Sequence, residues 1–221
     1  MRPARSITLV GDPRGHPPDS PLPRDERDVV WLSLDGFPVG LRPIHPDDKS
    51  ALIEGFGRLS EQTRYQRFLA PMNSLSSRQI RYLTEIDHVN HFAWVAGTRS
   101  EDGAIEGMGV ARFVRLAADP DVADFAVVVA DDSQDRGVGT LLVHALTAVA
   151  HDHGIVRLTA LALGENRRMV SILERIGGSF TPESPGVLAS QVPLPAPIDL
   201  DDETRDALIW VSKIAAHPSG R

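Results

Sequence analysis

Between Asp124 and Gly154 an apolar β-branched run, a polar turn with two glycines and a helix-spaced apolar pattern follow one another directly. Phe125 to Ala130 reads as a buried strand. Val138, Leu141, Leu142, Ala145 and Val149 then fall at i, i+3, i+4, i+7 and i+11, the core stripe of a helix. His151 and His153 sit in its last turn, and Gly154 stands where a left-handed residue closes a helix. A strand that feeds a helix through a glycine turn commits the chain to a mixed α/β fold. It also brings free backbone N–H groups and the positive end of a helix dipole to one spot, the physical basis of an anion site.

The rest of the chain is organised around that unit. Residues 1–28 carry Pro3, Pro13, Pro17, Pro18, Pro21 and Pro23 and read as a flexible arm with a short extended piece at Ile7–Val10. Val29 to Leu34 and Phe37 to Arg42 flank Asp35-Gly36, a strong hairpin signal. Pro38 puts the second strand at an edge, or stands where no N–H is needed. Helices are expected from Pro46, from Ser60 to Phe68, and after the caps Ser76 or Ser77. Three strands follow as an antiparallel meander: Phe92 to Thr98, Ile105 to Leu116 with a bulge at Gly107 and Gly109, and Val122 to Val129 after a turn at Asp119-Pro120-Asp121. Past the helix, Ile155 to Leu163 is a strand parallel to Val122–Val129, because a helix joins them. A short helix from Glu165 to Ile176, a last strand at Val187 to Val192 and a terminal helix from Asp201 to His217 complete the reading. One domain over residues 29–192 is therefore expected, with residues 193–221 as linker and C-terminal helix; monomer and homodimer both stay open.

Composition removes several function classes. The formal net charge of −7 argues against a nucleic-acid partner. No apolar run approaches the roughly 18–20 residues that span a bilayer, and the first residues lack the apolar core of a signal peptide. A cytoplasmic protein with no membrane partner is the expectation. The absence of cysteine excludes disulfides, thiolate zinc sites and a cysteine nucleophile. No metal is expected either, since His151 and His153, two apart on a helix, face different ways and suit a helix-end charge role. His88 and His91 read as solvated loop residues, and Trp31 and Trp94 as core. Arg64 and Arg67, with Tyr65 and Phe68, either border a substrate cleft or are ordinary surface residues.

Gln134-Asp135-Arg136-Gly137-Val138-Gly139 is the motif with chemistry in it. The glycines let the backbone approach a bulky phosphate, and Arg136 adds a positive charge. Alone, the pattern suits a tight strand-to-helix turn equally well. A P-loop is ruled out by the lack of a following lysine, and a dinucleotide fold by the missing third glycine.

The order of meander, acidic strand residue, Gln-x-x-Gly-x-Gly, helix, parallel strand, Asn166-Arg167-Arg168-Met169 and Leu173-Glu174-Arg175-Ile176-Gly177 resembles the GNAT superfamily of acyl-CoA-dependent N-acyltransferases. The resemblance runs from about Leu41 to Phe180. It implies a mixed, mostly antiparallel central sheet with one splayed parallel pair and helices on both faces. It also implies acetyl-CoA as co-substrate: its pyrophosphate on the turn from Gln134 through Asp135, Arg136, Gly137 and Val138 to Gly139 and Thr140, its pantetheine arm along Ala126, Val127, Val128 and Val129, and its thioester end near Asn166. A narrower likeness lies in Leu34-Asp35-Gly36, Leu41-Arg42-Pro43-Ile44, Leu59 to Phe68 and Ile86-Asp87-His88, which are similar to bacterial protein lysine acetyltransferases. Those enzymes modify a lysine of acyl-CoA synthetases.

Transfer of an acetyl group to an amine needs the two substrates held together and an unprotonated amine, whereas lysine has a reference pKa of about 10.4. A carboxylate can take the proton, directly or through water. The resemblance assigns this to a glutamate ten residues before the motif glutamine, and here that position is Asp124, one methylene shorter. Tyr65 and Tyr82 lie far upstream of the place where many relatives carry an acidic tyrosine, so none is assigned. Three readings remain: acetylation of a protein lysine, acetylation of a small amine, and a non-catalytic acyl-CoA-binding module.

Overall fold

The computed structural model describes residues 6–11, 28–99 and 105–217. They form a nine-stranded sheet in the order β1-β2-β3-β4-β5-β6-β7-β9-β8. Its strands are β1 (Ile7–Gly11), β2 (Val30–Leu34), β3 (Phe37–Pro43), β4 (His91–Arg99), β5 (Ile105–Leu116), β6 (Asp119–Val129), β7 (Arg157–Leu163), β8 (Ser179–Ser184) and β9 (Val187–Pro193). Every pairing is antiparallel except β6 with β7. The helices are α1 (Lys49–Arg58), α2 (Glu61–Phe68), α3 (Ser77–Thr84), α4 (Val138–Asp152), α5 (Arg167–Arg175) and α6 (Asp202–Ala216). This is the mixed, mostly antiparallel α/β architecture that the sequence implies.

Local chemistry accounts for most of these boundaries. Asp35 (φ 53°) and Gly36 (φ 87°) form a two-residue turn with both central residues left-handed, the geometry that suits the twist of a hairpin. Pro38 faces Ser33 on β2, while the ladder to β4 begins only at Gly40, so its missing N–H costs no bond inside the sheet. Ser60 caps α2 and Ser76 caps α3 through a reciprocal bond with Gln79. The bulge expected at Gly107 and Gly109 is present: Ala96 faces Gly109 and Gly97 faces Gly107. A Cβ on Gly109 would lie 2.7 Å from the Val128 carbonyl, so only glycine allows β5 and β6 this approach.

One sheet face carries the core. Leu32, Leu41, Trp94, Ala111 and Phe113 are fully buried there, against Leu141, Leu142 and Leu146 of α4 and Ala207, Leu208 and Val211 of α6. The terminal helix thus packs on its own chain. Helices α1, α2 and α3 lie over the opposite face, where the contact is looser and leaves cavities.

Several expectations need correcting. The turn before β6 is Ala117–Ala118, and Asp119 already pairs with Leu116. Strand β8 has no counterpart in the sequence pattern: it is exposed along almost its whole length and contains Pro182, so it shows no apolar alternation to read. The extended piece at Ile7–Val10 is a strand paired with β2; the rest of the expected arm, residues 1–5 and 12–27, lies outside the described residues.

Candidate functional site

The parallel ladder between β6 and β7 is short. Val122, Ala123 and Asp124 face Arg157, Leu158 and Thr159, and no pairs follow. Beyond that point β6 keeps its bonds to β5 and β7 to β9, so the two strands diverge. A wedge opens between Phe125–Val129 and Ala160–Leu163, with Asp124 at its apex. Along β6 the mouth lies roughly 16 Å from the apex, at about 3.3 Å per residue. Ala126 to Val129 are half-buried along one wall.

The Gln134–Thr140 turn crosses the mouth. Asp135 (φ 61°) and Gly137 (φ 90°) are both left-handed. Gly137 is the N-cap of α4 and no side chain caps that helix. The first bond of the helix is Leu141 N–H to the Gly137 carbonyl, so the N–H groups of Val138, Gly139 and Thr140 have no partner within it. Uncapped donors at the positive end of a fifteen-residue helix suit a phosphate.

Side chains hold this turn from several directions. Gln134 Nε2 donates to the Val129 carbonyl at 3.2 Å and to Thr63 Oγ1 at 3.3 Å. Arg168, in the first turn of α5, makes a two-pronged ion pair with Asp135 at 2.6 and 2.8 Å and donates to Gln134 Oε1 at 3.2 Å. The Asp135 carboxylate is therefore engaged, which leaves its backbone N–H as its means of meeting an anion. Arg136 leans toward Phe37, its guanidinium carbon 5.7 Å from the ring centre. Asp131 accepts from the Ser60 N–H, the Ser60 hydroxyl and the Thr63 hydroxyl at 2.7–2.8 Å, which ties the start of α2 to the end of β6. Partial burial acts to raise the Asp131 carboxyl, but those donors outweigh it and hold it below the usual carboxylate range.

Asn166 stands on the opposite wall at the end of β7, as the N-cap of α5; its Oδ1 accepts from the Met169 N–H at 3.2 Å. At the apex, Thr159 Oγ1 donates to Asp124 Oδ1. Oδ2 has no partner among the described residues.

On the helical face of the sheet, Asp124 opens into a cavity of about 340 Å³ with Arg67, Tyr82, Arg112, Phe125 and Ala126 in its wall. A second cavity, about 780 Å³, shares Arg67, Phe68, Leu75, Leu83 and Arg112 with it and extends under α1. Arg112 is only 5% exposed. Both its terminal nitrogens donate to the Leu83 carbonyl at 3.2 Å, and Nη1 lies 3.0 Å from His91 Nε2. Burial and then the neighbouring Arg67 pull the Arg112 guanidinium down to about 9. Arg67 falls to about 10 through burial, opposed by Tyr82. Both remain cations at neutral pH.

The apex, the mouth and the opposite wall thus bring together Asp124, Ala126 to Val129, Gln134 to Thr140 and Asn166 around one wedge. Thr159, Arg168, Arg112 and the Ser60–Thr63–Asp131 link carry no sequence signal of their own and emerge only in three dimensions. Arg67 lies at the cleft border, one of its two expected settings. The histidine readings change: His88 and His91 are not solvated loop residues but half-buried, each held neutral with its pKa lowered to about 4 by burial. His153, the C-cap of α4, packs edge-on against Phe92 and Phe113, at 6.0 and 5.7 Å. Trp94 is core, whereas Trp31 faces the larger cavity beneath the Arg99 guanidinium.

Comparison with known proteins agrees with this geometry. The family model described as an acetyltransferase (GNAT) domain matches residues 39–179. An acetyltransferase called Pat from Mycolicibacterium smegmatis is 33% identical over 195 residues, 85% of this chain. The chain spans only 55% of that relative's length. An acetyltransferase of Pseudomonas aeruginosa is 29% identical over 65% of this chain and 76% of its own. Among solved structures, the GNAT domain of S. lividans PAT superposes with a TM-score of 0.68 at 28% identity, covering 78% of this chain and 99% of that domain. A cAMP-binding acyltransferase from Mycobacterium smegmatis gives 0.62 at 27% identity, over 87% of this chain and 56% of its own.

Proposed function

This chain belongs to the GNAT acetyltransferase family, and on that premise we propose that it transfers the acetyl group of acetyl-CoA to a primary amine, with a protein lysine as the first acceptor to test. The observation that carries the reading is the wedge itself, with uncapped helix donors at its mouth and a carboxylate at its apex. The N–H groups of Val138, Gly139 and Thr140 would hold the pyrophosphate, and the backbone of Ala126 to Val129 would line the pantetheine arm. The Asn166 amide, with Oδ1 spent on capping, has its Nδ2 hydrogens left to donate near the thioester.

The amine nitrogen attacks the thioester carbonyl while both substrates are bound. Asp124 takes the proton from the attacking nitrogen, directly or through a water, and Thr159 fixes the orientation of its carboxylate. The carbon–sulfur bond breaks and CoA leaves as the thiolate, which needs no protein acid because a free thiol ionises near pH 8.5. Likeness to bacterial protein lysine acetyltransferases supports a lysine of an acyl-CoA synthetase as acceptor. The cavity beside Asp124, about 340 Å³, also suits a small amine, the second reading.

CoA release from acetyl-CoA should be followed with a panel of lysine peptides, acyl-CoA synthetases and small amines, and the acetylated product identified by mass. Acetylation of a lysine is the expected result. Acetyl-CoA binding with no CoA release from any amine would overturn catalysis and leave an acyl-CoA-binding module.

A further inference from the structure

Two guanidinium groups border the Asp124 cavity without an ion pair to a carboxylate. Four other arginines of the described residues have one: Arg42 pairs with Asp48, Arg157 with Asp119, Arg168 with Asp135 and Arg205 with Asp202. Arg112, almost wholly buried, spends its donors on the Leu83 carbonyl and on a neutral imidazole. Arg67 lies over the Phe68 ring at 4.8 Å. No carboxylate of the described residues pairs with either. Of the acidic side chains in the two cavity walls, Asp48 is taken by Arg42, Asp124 makes no ion pair with either arginine and is not among the charges acting on them, and Glu54 and Glu106 belong to the larger cavity only.

A buried cation with no counter-charge is costly, and the half-buried Arg67 beside Arg112 adds to that cost because the two repel. The surrounding fold does not offset that cost, so a ligand is the natural source of the missing negative charge. Arginine's planar fork matches a carboxylate in two-pronged fashion. The rest of the cavity wall, with Phe68, Leu75, Leu83 and Phe125, would exclude water and strengthen such a pair. The phosphates of acetyl-CoA would be held by the N–H groups of Val138 to Thr140 at the wedge mouth, whereas Arg112 pairs with Ala126 beside the apex, so they are not this charge.

We propose that Arg67 and Arg112 form a carboxylate subsite in the acceptor cavity, so that the favoured amines carry a carboxylate, either the acceptor's own or an acidic side chain beside a target lysine. The inference rests on reading the Asp124 cavity as the acceptor site.

The test compares matched acceptors with acetyl-CoA as donor: a free amino acid against its amide, and a lysine peptide with a neighbouring Glu against the same peptide with Gln. A preference in kcat/KM of about tenfold or more for the carboxylate member of one pair is expected, the size of a charged hydrogen-bonded contact. The pair that shows it identifies where the carboxylate comes from. Arg67→Gln should reduce that ratio to near one, and Arg67→Lys should restore part of it, with acetyl-CoA affinity unchanged in both. Arg67 is the better probe because Arg112 is buried and its loss endangers folding. Thermal shift with each acceptor reads the subsite without turnover. A carboxylate-dependent shift that Arg67→Gln abolishes, with no CoA release, would keep the subsite and sink acetyl transfer. No preference in the native chain, or a preference that survives Arg67→Gln, overturns the proposal. So does a preference for succinyl-CoA over acetyl-CoA that Arg67→Gln removes, since it would place the carboxylate on the donor.

Discussion

The mouth and the apex of the β6–β7 wedge are built from different materials. At the mouth the chemistry belongs to the backbone: three helix-start N–H groups and two left-handed residues, all within Gln134–Thr140. At the apex it belongs to side chains gathered from distant segments. Arg67 comes from α2, Tyr82 from α3, Arg112 from β5, Asp124 from β6 and Thr159 from β7. A backbone site tolerates changes of side chain as long as the turn keeps its shape. A side-chain site loses its function with one atom. The mouth therefore suits a part of the substrate that stays the same, and the apex suits the part that varies among acceptors.

The sharpest way to break this contrast is to remove one atom's function at the apex. Asp124→Asn keeps the size of the side chain and a partner for the Thr159 hydroxyl but cannot accept a proton. A fall in kcat of about 10²- to 10⁴-fold, the usual worth of a general base, is expected with the dissociation constant for acetyl-CoA unchanged. Single-turnover kinetics beside calorimetric binding measure both. Equal turnover at saturating substrate would remove Asp124 from the chemistry and leave the apex as a binding surface only.

The same contrast explains what was legible in the sequence. The mouth could be read because its geometry depends on glycines at fixed local spacing, and because strand, turn and helix are contiguous. The apex was only partly readable. Asp124 is singled out by its distance from Gln134, but nothing near it in the chain points to Thr159, thirty-five residues away. Arg112 looks like any polar residue of an alternating strand until α3 is laid over it with the Leu83 carbonyl turned inward. The Ser60–Asp131 link spans seventy-one residues. In the fold, elements with strong apolar periodicity, such as α4, were placed well. Strand β8, exposed and periodless, exists because β9 offers it an edge to pair with, and a long-range partner leaves no local mark.

At the mouth the prediction separates backbone shape from side-chain size. Gly137→Val forces a β-branched residue to φ 90°, a strain of about 1–3 kcal/mol that the turn can relieve only by moving. Acetyl-CoA affinity should fall about tenfold or more, while the carboxylate preference of the acceptor stays as in the native chain. Gly139→Ala is the control. A Cβ there would meet Val129 Cγ2 at 3.5 Å and Ile172 Cδ1 at 3.6 Å, ordinary contact distances. Its Tm and acetyl-CoA affinity should stay close to native. If the two variants behaved alike, the turn would be a mere connector.

The smallest expected effect uses pH, and it again distinguishes the two ends, because the Gln134–Thr140 turn contains no histidine while the apex cavity leans on His91. Burial lowers both His88 and His91 to about 4, and the proximity of Arg112 adds to the effect at His91. In the unfolded chain each titrates near 6.5. Above that value both states are neutral and the histidines favour neither. As pH falls from about 6.5 toward 4, the unfolded chain takes up protons that the folded chain refuses, and stability declines. Tm should therefore drop across this window, and its upper part, from 6.5 to about 5, lies above the range in which carboxylates titrate. His88 has φ 57°, which asparagine tolerates, and His91 accepts from Arg112, which the carbonyl of glutamine can also do. The double variant His88→Asn, His91→Gln should flatten the slope of Tm against pH between 6.5 and 4 while keeping the fold at neutral pH. An unchanged slope would mean that the two rings accept protons in place. The pocket around Arg112 would then tolerate an additional cation, which would remove the electrostatic case for a carboxylate beside it.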